Sequence, residues 1–324
     1  MATMKMSGMT VSYTAGLHEL RPGTYAYLRP PGTWGYSNCG LVTAGETALL
    51  VDTQFDLPMT AELKTAISAT APGVTVRTVV NTHANGDHCW GNQLFENVEI
   101  ISSAACAHGL SEEVPPTALA ALSGPQSPDT VLGDYMRRHF GHFDFAGVDV
   151  TPATRTFSGR LDVTLGHRTV ELIEVGPAHT SGDVIAHVPD AGVVYAGDIL
   201  FIGDHPIVWT GPVENWVTAC DLILDTGAET IVPGHGPVAS PSGVRQFRDY
   251  LELIALAGAT HHAAGRSYWE AAARTELPER FGVWGRRERL VISMAAIYTY
   301  LGMPRAEVLD VLAHAAAQEQ RDGR

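Results

Sequence analysis

The chain has 324 residues, of which 45% are hydrophobic and 17% charged, and 35 acidic side chains against 21 basic ones give a formal net charge of -14. That is enough apolar material for one large domain, or a domain with an appendage. No cluster of Lys and Arg is present to meet a phosphate backbone, which disfavours a nucleic-acid role, and no stretch approaches the apolar length of a bilayer span, so no membrane partner is expected.

The opening segment MATMKMSGMTVSYTAG has no long apolar run and no signal-peptide pattern. Residues 25–28, 39–42 and 48–52 are short apolar runs separated by the turns RPPGTWG and Ala44-Gly-Glu46, which predicts consecutive, antiparallel strands. Residues 58–70 begin with Pro-Met-Thr and carry Leu63 and Ile67 at helical spacing, so a helix is predicted there. The β-branched run 75–80 predicts a buried strand, and 97–103 another. Residues 111–155 are broken by Pro and Gly and contain helical pieces. Strands follow at 155–157, 161–165, 169–175, 184–188 and 192–196, then a helix at 213–226 and a last strand at 229–232.

Beyond Ser242 the composition shifts to Ala, Leu and Arg, with Phe247, Leu251 and Ile254, then Leu290, Ile292 and Ile297, at helical spacing. This divides the chain into a catalytic domain at 1–242 and a helical extension at 243–324 packed on it. The terminal QEQRDGR is expected to fray. Cys39, Cys89, Cys106 and Cys220 form no CxxC pair and no disulfide framework. Free thiols fit a reducing compartment, and the cytoplasm is the expected location.

The segment Asn81-Thr-His-Ala-Asn-Gly-Asp-His-Cys-Trp-Gly-Asn92 places His83, Asp87 and His88 directly after a hydrophobic strand. A tight turn at Gly86 can aim them at one point, and imidazole nitrogen and carboxylate oxygen both suit Zn²⁺. Three further groups follow strand-like runs: His179 in GPAHTSGD, Asp198 after VVYAG and His235 after IVPG. A lone His or Asp beside Gly or Pro is ordinarily a loop residue. Four such segments in this order are hard to obtain by chance.

In these segments the chain resembles the metallo-β-lactamase superfamily over residues 20–240. The family pattern is a strand-end Asp, then HxHxDH, then a His, an Asp and a His, each after a strand. Here it falls on Asp52, residues 83–88, His179, Asp198 and His235. The resemblance implies an α/β fold, a four-layer αββα sandwich with the site along one edge of the two sheets, followed here by a helical C-terminal section. It implies a first metal held by His83, Asn85 and His179, a second held by Asp87, His88 and His235, and Asp198 bridging them. The cofactor expected is zinc, one or two ions per chain.

Asn85 stands where the family has the second His of the motif. An amide oxygen is a neutral and weaker ligand than imidazole, so the second site is expected to bind tightly and the first weakly. The resemblance casts Asp52 as the anchor of the motif turn rather than a ligand. It casts Asp87 as the group that orients or deprotonates the attacking water.

A metal with an open position lowers the pKa of its water and polarises a carbonyl, so hydrolysis of an ester or thioester is expected. No GxSxG segment offers a Ser nucleophile, and Cys89 reads as a packed side chain. Within the superfamily, THANGDHCWGN, Tyr27-Leu-Arg-Pro-Pro31 with Trp34, and the segment GDHPIVW at 203–209 are similar to thioesterase-like members. These include the glyoxalase II-like enzymes and the aromatic polyketide cyclase/thioesterases of the actinorhodin type. The partner implied is a small acyl substrate, free or on a carrier protein, with ring closure accompanying cleavage in a cyclase.

Trp34, Tyr36, His205 and Trp209 are the candidate substrate pocket. Trp216 is expected beside them, and Phe140, Phe143 and Phe145 are candidates for the cleft wall. His139 and His142 read as surface residues, and His261 and His262 as structural. A lactonase or β-lactamase, an iron oxygenase, and a non-catalytic metal-binding homologue in which Asn85 marks lost activity are the competing readings. Oligomerisation stays open.

Overall fold

The computed structural model describes residues 3–6 and 9–323, with side chains from Val11 onward. Strands β1 (Thr3–Met6) and β2 (Met9–Ser12) pair as an antiparallel hairpin. A seven-stranded sheet follows, in spatial order β3 (Gly16–Arg21), β4 (Thr24–Leu28), β5 (Cys39–Ala44), β6 (Thr47–Val51), β7 (Thr75–Val80), β8 (Glu99–Ser103) and β9 (Arg155–Phe157). The first four are antiparallel and the last four parallel. Parallel pairs need crossovers. These are α1 (Leu57–Thr70) between β6 and β7, α2 (Gly86–Cys89) between β7 and β8, and α3 (Ala104–Gly109), α4 (Pro116–Ser123) and α5 (Val131–Phe140) between β8 and β9.

The second sheet has five strands in order β10 (Arg160–Leu165), β11 (Arg168–Glu174), β12 (Val184–Val188), β13 (Val193–Phe201) and β14 (Thr230–His235). It is antiparallel up to the parallel pair β13–β14, which α6 (Val213–Asp225) connects. The chain ends in α7 (Pro241–Ala263), α8 (Tyr268–Arg274), α9 (Glu279–Gly282), α10 (Arg289–Tyr300) and α11 (Val308–Arg321).

Strand alternation builds the layers. Successive side chains of a strand face opposite sides, so in β6 Leu49 and Val51 point one way while Ala48 and Leu50 point the other. The first pair meets Val170, Leu172, Val184 and Ala186 of the second sheet, forming the core between the sheets. The second pair meets Leu63 and Ile67 of α1. Helix α1 starts where predicted because Asp56 accepts a hydrogen bond from Met59 N at 2.7 Å and Pro58 suits the first turn. On the far side Ile185, Val194 and Ile231 pack with Trp216, Phe247, Ile254 and Ala315 of the later helices. The result is the αββα sandwich with C-terminal helices, as the sequence led one to expect.

Three readings are corrected. The strand expected at 192–196 continues to Phe201, so Asp198 lies within β13 and not beyond its end. Register shifts on either side of Gly197 let the strand carry on while turning Asp198 inward. Strand β3 had no counterpart in the sequence reading, because its side chains are mostly half-buried and GLHELR mixes charge with apolar residues. The tail does not fray before residue 321: Gln318 and Glu319 are buried on α11.

Candidate metal centre

Loops at one edge of both sheets converge. From the first sheet, β7 runs through Asn81 and Thr82 to His83, and α2 carries Asp87 and His88. From the second, His179 sits in the β11–β12 loop, Asp198 in β13, and His235 ends β14. His83, His88, His179, Asp198 and His235 are all buried, none more than 5% exposed.

His88 Nε2 lies 3.1 Å from Asp198 Oδ1 and 3.8 Å from Asp87 Oδ2. His235 Nε2 lies 3.3 Å from Asp87 Oδ2 and 3.5 Å from Asp198 Oδ2. His179 Nε2 and His83 Nε2 stand 3.3 Å and 3.8 Å from the same Asp198 Oδ2. Asn85 Oδ1 is 2.8 Å from His179 Nε2. Every residue predicted for the centre is therefore brought to it.

The outer hydrogen bonds fix which nitrogen faces inward. Asp52 accepts from Thr82 N at 2.7 Å and Thr82 Oγ1 at 2.8 Å, and His88 Nδ1 stands 2.8 Å from its Oδ2. Asp52 holds φ 65°, a left-handed conformation that Asp adopts more readily than most residues other than Gly. Thr82 Oγ1 gives its proton to Asp52 and so accepts from His83 Nδ1 at 3.0 Å. His179 Nδ1 donates to Ile207 O at 2.7 Å. In neutral rings this leaves the Nε2 lone pairs of His83, His88 and His179 aimed at the centre. Asn85 Nδ2 donates to Glu113 Oε1 at 3.0 Å, which turns the Asn85 oxygen toward His179. Two acceptors, Asn85 Oδ1 and His179 Nε2, thus face each other at hydrogen-bond distance.

Buried polar atoms are ordinarily paired. Here His83 Nε2, His88 Nε2 and Asp198 Oδ1 are buried without a hydrogen bond. They are the atoms aimed inward, and His83, His88 and Asp198 form one potential cation-binding group while Asp87, His88 and His235 form another. Gly234 completes the cradle: a Cβ there would lie 1.9 Å from Asp198 Oδ1. The nitrogen and oxygen donor set, converging on one point with unmet lone pairs, fits a divalent metal such as zinc.

Electrostatics agree. Burial works against a charged His88, yet Asp198, Asp87 and Asp52 outweigh it and hold the imidazole well above its ordinary range. His235 rises to about 9, against burial, through Asp198 and Asp87. Burial and the neighbouring His88 push His83 well below its ordinary value. Burial would raise Asp198, but His235, His88 and His179 hold it far below the carboxylate range. The cluster concentrates negative charge that calls for a cation.

The centre opens into a cavity of about 250 Å³. Asp87, His179, Asp198 and His235 reach it from one side, and Trp34, Phe55, Trp90, Phe140, Phe201 and Trp209 wall it with aromatic rings. Leu309 and Leu312 of α11 close another side. Of the residues expected in the pocket, Trp34 and Trp209 are there. Tyr36 instead stacks on His142, with ring centroids 5.4 Å apart. His205 is fully buried among the helices, its Nδ1 2.7 Å from Tyr250 Oη. Trp216 lies on α6, fully buried, donating to Ile199 O at 2.9 Å. Phe140 lines the cavity, whereas Phe143 and Phe145 pack edge-on against Phe55 behind it.

His139 is buried, not on the surface, because Glu319 of α11 lies 2.9 Å from its Nε2. Cys89 is packed, its Sγ 3.3 Å from Ala84 O, and burial keeps its thiol well above the ordinary range. The other three cysteines are also buried and free. Glu113, Phe201 and Arg289 also line the cavity and were not anticipated. No local signal set Arg289 apart, because it closes the charged run Arg286-Arg-Glu-Arg289.

An αββα sandwich with a His and Asp cluster at the sheet edge defines a class, the metal-dependent hydrolases of this fold. The sequence matches the Metallo-beta-lactamase superfamily over residues 32–235, and the chain belongs to that family. It is 27% identical over 203 residues to the 2,4-dinitroanisole O-demethylase subunit alpha of Nocardioides sp. (strain JS1661), covering 60% of this chain and 51% of that protein. It is 26% identical over 237 residues to the acyl-coenzyme A thioesterase MBLAC2 of Gallus gallus, covering 69% and 80%. A double mutant of the sec-alkyl sulfatase PisA1 superposes with a TM-score of 0.69 at 16% identity, over 90% of this chain and 51% of that one. The chain thus spans about half the length of the demethylase subunit and of the sulfatase. Among the described residues no helix is long and apolar enough to cross a membrane.

Proposed function

We propose that this chain is a zinc-dependent hydrolase that cleaves an ester or thioester whose acyl part is bulky and apolar or aromatic. The observation that carries the reading is the convergence of the unpaired His83 Nε2, His88 Nε2 and Asp198 Oδ1 atoms in a cluster whose Asp87, His179, Asp198 and His235 line an aromatic-walled cavity. Asp87, His88 and His235 would hold the tighter ion, with Asp198 beside them. His83 and His179 would hold a second, weaker ion, with Asn85 Oδ1 as a neutral donor. Bound zinc supplies Lewis acidity and water of lowered pKa.

The chain's own residues do the rest. Asp87 is the candidate that orients the attacking water and takes its proton on a carboxylate oxygen, since its side chain is 14% exposed toward the cavity. Asp52 keeps His88 in one tautomer and orientation. Trp34, Trp209 and Phe140 exclude water and stack on a planar acyl group. The relation to a protein named as an acyl-coenzyme A thioesterase supports a thioester.

A panel of an aryl thioester, an acyl-lactone and a chromogenic β-lactam, assayed on the zinc-loaded full chain, tests the reading. Turnover of the aryl thioester at least ten times that of the other two is expected. Preference for the β-lactam or lactone, or no turnover of any substrate by protein that holds zinc, contradicts it. Mass analysis of products from a polyketone thioester separates a linear acid from a ring-closed product, the mark of cyclase activity.

A further inference from the structure

Arg289 heads α10 and is 1% exposed. Its guanidinium lies over the Trp34 ring, 4.5 Å from the centroid, and the residue is one of those that line the cavity. Its contacts are long: Nη1 to His205 O at 3.3 Å, Nη2 to Thr33 Oγ1 at 3.4 Å, and Asp204 Oδ2 at 3.9 Å. Its Nε–H has no partner. A guanidinium cannot shed its charge, so a buried one with an unmet donor carries a desolvation penalty that an incoming anion relieves. The position bears on the chemistry. Arg289 Cζ is 6.0 Å from the Phe201 ring, which stacks on His235 with centroids 5.1 Å apart and stands 5.7 Å from His179. The cation is therefore one aromatic ring removed from the candidate metal centre. A second cation, Arg305, stands exposed where the cavity meets solvent.

We infer that Arg289 binds an oxyanion on the substrate, so that the hydrolase prefers acyl groups bearing a carboxylate or sulfonate besides the scissile bond. This substrate class rests on the ester or thioester reading above. The aromatic walls hold the body of the acyl group, and Arg289 fixes its register by charge-assisted hydrogen bonds.

Two measurements on the zinc-loaded full chain keep the anchor separate from the hydrolase reading. Calorimetric titration uses 4-biphenylcarboxylate, 4-biphenylsulfonate and 4-biphenylcarboxamide with wild type, Arg289→Met and Arg289→Lys. Wild type is expected to bind at least one of the anions about 10- to 100-fold more tightly than the amide. Arg289→Met loses that preference and Arg289→Lys keeps part of it, which guards against a Met variant that fails to fold. Turnover then compares two thioesters of one aryl acid, with a free carboxylate or a carboxamide at the far end. The ratio of their kcat/KM values is expected to collapse toward one in Arg289→Met. An anion preference absent in wild type, or unchanged in Arg289→Met, overturns the inference. If Arg289 governs binding and neither thioester is cleaved, the anchor stands and the hydrolase reading fails.

Discussion

Asp52 Oδ2 lies 2.8 Å from His88 Nδ1, and the same carboxylate holds Thr82 by its backbone N and its hydroxyl. One buried side chain thus fixes the tautomer of His88, the path of the chain after β7 and, through Thr82, the ring of His83. Removing such a hydrogen bond behind a ligand histidine typically weakens metal binding about 10- to 100-fold. Asp52→Asn, which keeps the shape and drops the charge, is expected to lose zinc affinity in that range while staying folded. Competition against a chromophoric chelator, with circular dichroism as the check on folding, measures it.

Asn85 occupies a ligand position with a neutral oxygen facing His179 Nε2. Restoring imidazole there, by Asn85→His, is expected to raise zinc stoichiometry from near one to near two per chain at micromolar free zinc. Isothermal titration calorimetry reads this directly. Equal stoichiometry in the two proteins would place the first ion elsewhere or show it already tight.

Much of this site was legible in the sequence because its groups follow strands. The apolar run 75–80 and the Gly- and Pro-flanked runs before His179 and His235 announce strand ends, and a scaffold exposes side chains there. The helix at 57–70 was legible from Pro58 and from the spacing of Leu63 and Ile67. What was hidden depends on partners far along the chain. His139 looked like a surface residue because Glu319, which buries it, is 180 positions away. Arg289 meets Trp34 across more than two hundred residues, and no local pattern marks that meeting. His205 sat in a suggestive segment, but it pairs with Tyr250 inside the helical core.

Glu319 ties three elements together. It faces His139 at 2.9 Å, Arg138 at 2.6 Å and Arg286 at 3.5 Å. Burial would raise its carboxyl, but His139, Arg138 and Arg286 hold it below its ordinary value. A carboxylate whose folded pKa is depressed adds stability that is fully present above its unfolded pKa, about 4.3, and is lost as pH falls through the lower folded value. Glu319→Gln is expected to cost about 2 kcal/mol at pH 7, less than a fully buried pair because Arg138 is half exposed. The difference between wild type and variant shrinks below pH 4. Urea unfolding at pH 7, 5 and 3.5 shows whether it does.

Trp209 reaches the cavity, and its backbone N donates to His179 O at 3.0 Å. Trp209→Ala keeps that backbone bond and removes an aromatic wall. An increase in KM of about tenfold for an aryl thioester, with kcat changed far less, is expected, since a wall contact serves ground and transition states alike. Steady-state kinetics on paired aryl and acetyl thioesters tests this, and the acetyl substrate is expected to show the smaller change.

The most direct test is a crystal structure of the zinc-soaked full chain with anomalous data at the zinc edge. The account predicts a strong peak at coordination distance, about 2.0–2.2 Å, from His88 Nε2, Asp87 and His235 Nε2, with a weaker peak or none beside His83, Asn85 and His179. A map with no peak at the His88, Asp87 and His235 position, from protein that remains folded and saturated with zinc, contradicts it.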